Sequence, residues 1–282
     1  FIDPPHSCHN YKELELNAIN TVWNLMLDKP YLDGGGEHSG RVAKEGDDKY
    51  YEVSKQRTAT KILSGSINNE SNGATTVWTV EIAMSHDDTL ANLSIATKKP
   101  RVGDKWRINF SRVEKKGDIN WTWVPQIIWD SAQRKFVGKI AMHLPDAWGY
   151  VQFVDPLTDP KNENGDSIIG EINAEKNHEY RDPAWPAKIT AMNVYYAQRQ
   201  YKDLNQKYAS SLDQLGDLVN SEIIRPFVAA RNGEVVISTS NEGSEEGYSV
   251  KVVSPGSGWA VTVTNERLVR VFAPSDSLIR ED

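Results

Sequence analysis

Glu13 and Glu15 stand two residues apart in the stretch YKELEL. Paired carboxylates are what a glycosidase needs, one as acid and the other as nucleophile or base. On a strand the two share a face, with roughly 6.5 to 7 Å between their Cα atoms. That spacing permits the chemistry without requiring it, because retaining enzymes usually draw the pair from different strands. Neighbouring acids on one sheet face serve equally as solvated or ligand-contacting groups. A broader constellation adds Asn17 on the same face, Arg107 and Asn109 in DKWRINFSRV, and Trp121 with Trp123 just beyond. Sugar recognition uses this mixture: ring C–H faces stack on aromatics, while hydroxyls pair with Asn, Arg and carboxylates. The same side chains would also serve as ordinary cross-strand ion pairs.

Other chemistries find less support. His6, Cys8 and His9 combine imidazole and thiolate, yet they lack the spacing of a zinc finger and no second cluster follows, so a polar turn accounts for them. There is no nucleophile elbow, phosphate-binding glycine loop or HExxH motif. No organic cofactor is implied. The acidic loops suit a structural Ca²⁺ held by Asp, Asn and backbone oxygens, at a position the sequence does not locate. Sequons at Asn69, Asn92, Asn109 and Asn120 are close to chance frequency and carry little weight.

The 282 residues suffice for one large domain or two ordinary ones. No apolar run approaches the ~20 residues of a membrane span. A net charge of −7 with scattered Lys and Arg argues against a nucleic-acid partner. Cys8 is the only cysteine, which excludes intrachain disulfides and leaves the compartment open. The chain opens on FIDPP, without initiator Met or signal peptide, and reads as a strand end entering a turn; a truncated or processed chain is expected.

The positioning elements follow from periodicity. In residues 11 to 27, Leu14, Leu16 and Ala18 alternate with Glu13, Glu15 and Asn17, a half-buried strand whose acidic face points outward. Asn20 marks a turn before a partner strand at Val22 to Leu27. Residues 41 to 76 hold short strands at best. Further alternating strands fall at Val77 to Met84, Asp104 to Val113 with Arg107 and Asn109 outward, Trp121 to Ile128, and Trp148 to Val154. No strand-helix-strand rhythm appears, so residues 1 to 154 read as an antiparallel β-sandwich. Residues 155 to 185 read as a linker or wrapping loop. Residues 186 to 282 read as a small α+β domain, with a long helix from Pro186 to Tyr208, an extension at Asp213 to Val219, and an antiparallel meander at 234 to 239, 248 to 253, 259 to 264 and 268 to 272.

Four motifs in this order, YKELELNAINTVWNLMLDKPY, WTVEIAM, DKWRINFSRVE and HLPDAWGYVQF, resemble the family 9 carbohydrate-binding modules of secreted bacterial proteins, including xylanases. The resemblance covers Phe1 to about Val154. It implies an antiparallel β-sandwich that binds the ends of glucan or xylan chains, in some members with structural calcium. It also implies that several strands and one of two sugar-sandwiching Trp residues precede Phe1. A hydrogen-bonding Arg of the sugar-binding members aligns with Glu15, and a Gln aligns with Asn109. The second sandwiching Trp falls near Met142, which makes Met142 and His143 ligand-facing candidates. Trp148 is aromatic in relatives without being the sugar platform, so a buried structural role is expected of it, with Gly149 allowing a close approach. Far more faintly, the C-terminal helix and meander resemble the soluble part of type II secretion pseudopilins.

The expected function is non-catalytic recognition of a polysaccharide or oligosaccharide by a secreted, periplasmic or cell-surface protein, within a carbohydrate-degrading system. The alternatives are a glycoside hydrolase using Glu13 or Glu15, and an envelope interaction module without a sugar ligand.

Overall fold

The structure is a computed structural model, and it describes residues 1–68, 75–114, 118–153, 182–242 and 245–274. It is mainly β, with antiparallel sheets, a long helix and a later meander. The first half is organised around a six-stranded antiparallel sheet in the order Gly149–Gln152, Lys105–Ile108, Ile2–Asp3, Tyr11–Leu16, Val22–Leu27, Glu37–His38. Three two-stranded hairpins flank it: Arg57–Ser64 with Val77–Ala83, Ser111–Glu114 with Ile119–Thr122, and Ile127–Asp130 with Lys135–Gly138.

Several expectations need redrawing. The turn at Asn20 is present, with a left-handed φ of 63° that Asn tolerates better than most side chains. The strand expected over Asp104 to Val113 divides at Asn109 and Phe110, and its two parts, Lys105–Ile108 and Ser111–Glu114, join different sheets. The strand expected over Trp121 to Ile128 divides likewise around Pro125, which has no N–H to donate to a ladder. Arg57–Ser64 is an eight-residue strand in the region expected to hold short strands at best. Both faces of its hairpin stay largely in solvent, so no apolar alternation marks it.

The long helix runs Trp185–Asn205 and ends on Gln206 in the left-handed region. The expected extension is a short helix, Leu212–Leu215, followed by a 3₁₀ turn. Ser221–Ala229 is a further, unexpected helix, capped by Asn220, with Ile224 and Phe227 buried at helical spacing. The meander pairs Glu234–Glu242, Glu245–Val253, Ala260–Thr264 and Val269–Phe272 in sequence order. Nearly all of the stretch expected as a linker lies outside the described residues.

The main core crosses between the halves of the chain. Cys8, Ile128, Trp129 and Leu144 join Ala187, Ala191, Val194 and Tyr195 of the long helix and Val250, Val261 and Val263 of the meander in one cluster. A second cluster, Tyr11, Leu25, Leu27 and Trp148, lies on one face of the six-stranded sheet. Trp148 is buried as expected, and its indole N–H donates to the Met142 carbonyl at 2.8 Å. A Cβ on Gly149 would stand 2.7 Å from a Val124 methyl carbon and 2.9 Å from the Trp123 ring, so this position requires glycine.

Candidate functional site

The sheet register places the sequence candidates on a common face. Tyr11, Glu13 and Glu15 stand opposite Leu27, Leu25 and Trp23, while Arg107 stands between Asp3 and Tyr150. This face was expected to be outward, and most of it is covered: Glu13 is 6 % exposed, Arg107 3 % and Asn109 1 %. The correction has a tertiary cause. The closing loop that carries His143 and Trp148, the segment around Tyr31 and the N-terminus of the long helix all fold over it. Only its far end, at Glu15, reaches solvent.

At that end the candidates converge. The Tyr11 hydroxyl hydrogen-bonds His143 Nδ1 at 3.0 Å, and His143 Nε2 lies 3.9 Å from Glu13 Oε2. Burial lowers the His143 pKa from 6.5 to about 4, so the imidazole is neutral at pH 7. Burial and the nearby Glu15 carboxylate raise the Glu13 pKa from 4.5 to about 8. Glu13 therefore keeps its proton at neutral pH, and the contact with His143 is between two neutral groups. Over this pair stands Tyr31, 51 % exposed, its ring edge-to-face with His143 at 4.7 Å between centroids. Trp23, opposite Glu15, is capped by the Arg41 guanidinium at 4.6 Å, and Arg41 is ion-paired with Glu37.

The remaining candidates go elsewhere. Asn17 Oδ1 accepts the backbone N–H groups of Ile19 at 3.1 Å and Thr21 at 2.9 Å, which makes it a turn brace. Asn109 is paired with Phe1 through the backbone, and neither side-chain amide atom has a hydrogen-bond partner. Met142 contributes its carbonyl to Trp148. Trp121 and Trp123, 49 % and 50 % exposed, form a separate aromatic face on the hairpin Ser111–Glu114 with Ile119–Thr122, beside Phe110 and Arg112. His6, Cys8 and His9 form no metal cluster, and no group of three His, Cys, Asp or Glu poised for a metal occurs among the described residues.

Sequence reasoning missed the groups that hold this end in place. Arg267 is fully buried, with Nε 2.9 Å from Asp33 Oδ2 and Nη1 3.3 Å from Asp146 Oδ1. Its guanidinium lies over the rings of Tyr195 at 4.9 Å and Tyr196 at 5.4 Å. Tyr195 and Arg199 also hydrogen-bond Asp33, and Tyr196 donates to Asp146 at 2.8 Å. Asp33 is two residues from Tyr31 and Asp146 three from His143, so the second half of the chain anchors both loops of the site. The available signal was Asp146 inside the motif HLPDAWGYVQF and Asp33 two residues past the motif that ends at Tyr31. No family model matches the chain, and no curated protein or solved structure matches it.

Proposed function

We propose that this protein binds carbohydrate without catalysis, at the end of the sheet face where Glu15, Tyr31 and His143 meet. The observation that carries the reading is the exposed Tyr31 ring standing on His143 above the Glu13–Glu15 pair. An exposed ring offers a stacking surface to a sugar C–H face. The Glu15 carboxylate and His143 offer hydrogen bonds to hydroxyls. The resemblance of the four motifs to family 9 carbohydrate-binding modules supports the same reading and suggests glucan or xylan ends as ligands, in an exported protein of a carbohydrate-degrading system. Tyr31 would then take the stacking role that Met142 does not supply.

The hydrolase reading fits less well. Retaining glycosidases hold their carboxyls ~5 to 5.5 Å apart and inverting ones farther. Both carboxyls must also reach the sugar, and Glu13 is only 6 % exposed.

Calorimetric titration with xylo- and gluco-oligosaccharides tests the proposal. Tyr31→Ala and Glu15→Gln are each expected to weaken binding by about tenfold or more, in line with the loss of one stacking or charge-assisted contact. Weak salt dependence is expected, since stacking and hydrogen bonding carry the affinity. Absence of binding by the unaltered protein would overturn the proposal. Loss on Trp121→Ala or Trp123→Ala, with Tyr31→Ala silent, would move the site to the other aromatic face.

A further inference from the structure

Where the six-stranded sheet meets the long helix, a cavity of about 70 Å³ opens beside Trp185. One water needs roughly 10 to 15 Å³, so the space admits a molecule of several heavy atoms. The rim is apolar: Ile127, Phe136 and Trp185 are exposed, with Ile189 and Met192 farther in. The inner wall is polar and carries Arg107, Lys188, His6, Asn193 and Asp146.

Most of these polar groups are already satisfied. Lys188 Nζ reaches Asp182 Oδ2 at 2.7 Å, the Tyr150 hydroxyl at 3.3 Å and His6 Nδ1 at 3.2 Å, which uses its three protons. His6 Nε2 lies 3.2 Å from the Lys105 carbonyl, so it carries the ring proton and leaves Nδ1 as acceptor for Lys188. Asp146 is held by Tyr196 and Arg267.

Arg107 differs from all of them. Its guanidinium donates to the Trp148 carbonyl and has no ion pair with any carboxylate among the described residues. The rings of Tyr150 at 4.3 Å and Trp185 at 5.4 Å fix its plane and stabilise the cation, but they supply no counter-charge. The nearest carboxylate, buried Asp3 directly across the strand pair, acts on the cation electrostatically but makes no ion pair with it, its oxygens being held by the backbone N–H groups of Ser7 and Cys8. Asn193 adds a second open donor, since its Nδ2 is buried without a partner among the described residues while Oδ1 accepts the Asn220 N–H at 2.9 Å. The wall thus presents donors and a positive charge behind an apolar rim.

We propose that this cavity binds a small monocarboxylate with an aromatic or aliphatic body. The carboxylate sits against Arg107 and the Asn193 amide, and the body lies between Trp185, Phe136 and Ile127. The site is distinct from the Glu15, Tyr31 and His143 end of the sheet face and does not depend on that reading.

The test is calorimetric titration of the full chain with benzoate and hexanoate, alongside benzamide and inorganic phosphate. Benzoate or hexanoate is expected to bind, and benzamide to bind at least about tenfold more weakly, the effect of one charge-assisted contact. Arg107→Met is expected to lose about tenfold or more, and Phe136→Ala, at the exposed rim, severalfold. Should Arg107→Met fail to fold, the benzoate–benzamide ratio on the unaltered protein and the Phe136→Ala result decide alone. The proposal is overturned by no carboxylate binding, by benzamide binding equally well, by phosphate binding as tightly as benzoate, or by a folded Arg107→Met that binds as before. Oligosaccharide titrations are read separately, so either proposal can fail without the other.

Discussion

Arg267 and Arg107 are both buried guanidiniums facing the interface between the sheet half and the helix half of the chain, and their surroundings differ in one respect. Arg267 lies between Asp33 and Asp146, over two tyrosine rings. Arg107 lies over Tyr150 and Trp185 with a single backbone carbonyl as acceptor. The aromatic support is alike, and the counter-charge is not. Where carboxylates close around the cation, the group acts as a fastener between distant parts of the chain. Where they do not, and a cavity lies alongside, the group is suited to take an anion from outside.

The sharpest way to break this contrast is to remove each cation. Arg267→Met leaves Asp146 with the Tyr196 hydroxyl but no cation, and Asp33 with Arg199 and Tyr195 alone, and is expected to cost about 3 to 5 kcal/mol, measured by urea denaturation. Its oligosaccharide affinity is also expected to fall, because Tyr31 and His143 lose the anchors of their loops. A cost below about 1 kcal/mol would mean that the network is no fastener. Trp148→Ala is expected to cost a similar 3 to 5 kcal/mol by emptying a packed site beneath the sugar face. A variant as stable as the parent that no longer binds glycan would return Trp148 to the ligand.

Arg107→Met is expected to change stability far less, within about 1 kcal/mol, since it removes a cation that makes no ion pair with a carboxylate among the described residues and keeps an apolar stem among aromatics. A loss as large as that of Arg267→Met would erase the distinction between the two arginines.

The smallest expected effect is on pH dependence. Burial, with Lys188 and Arg107 nearby, lowers the His6 pKa from 6.5 to about 3. The unfolded chain takes up this proton as pH falls past 6.5 and the native state resists until about 3, so stability declines across that window. Arg107→Met removes one repelling charge and should make the decline shallower, as read from urea midpoints between pH 7 and 4. Glu13 acts in the opposite sense. Its pKa is raised from 4.5 to about 8, so its contribution is fully present below 4.5 and is lost as pH rises through 8. Glu13→Gln should flatten that alkaline limb, and an unchanged limb would remove Glu13 as its cause.

Much of the first half was legible locally. Alternation marked Tyr11–Leu16 and Val22–Leu27, Asn20 marked their turn, and a helix free of internal Pro and Gly marked Trp185–Asn205. Glu13, Glu15 and His143 were identifiable as candidates, and they do converge. Alternation could not tell which face is covered, because period two assigns residues to faces and says nothing of what packs against either one. Glu13, Arg107 and Asn109 were therefore expected in solvent. Arg57–Ser64 was expected only as short strands because its own sequence is polar and largely solvent-exposed, and Ser221–Ala229 was passed over although Ile224 and Phe227 mark its buried side.

By itself the sequence determined the local states: strand or helix, where the chain turns, and which motifs carry paired carboxylates or aromatics. These depend on interactions between residues close in the chain. Only the tertiary structure decided that Asp33, Asp146, Tyr195, Arg199 and Arg267 would meet, and that Arg107 would lie beside a cavity without an ion pair to a carboxylate among the described residues. Those outcomes depend on how the helix docks on the sheet. Docking is driven by non-directional burial of apolar surface such as Cys8, Trp129 and Leu144 against the helix, and the polar groups are carried along to partners that no local pattern specifies.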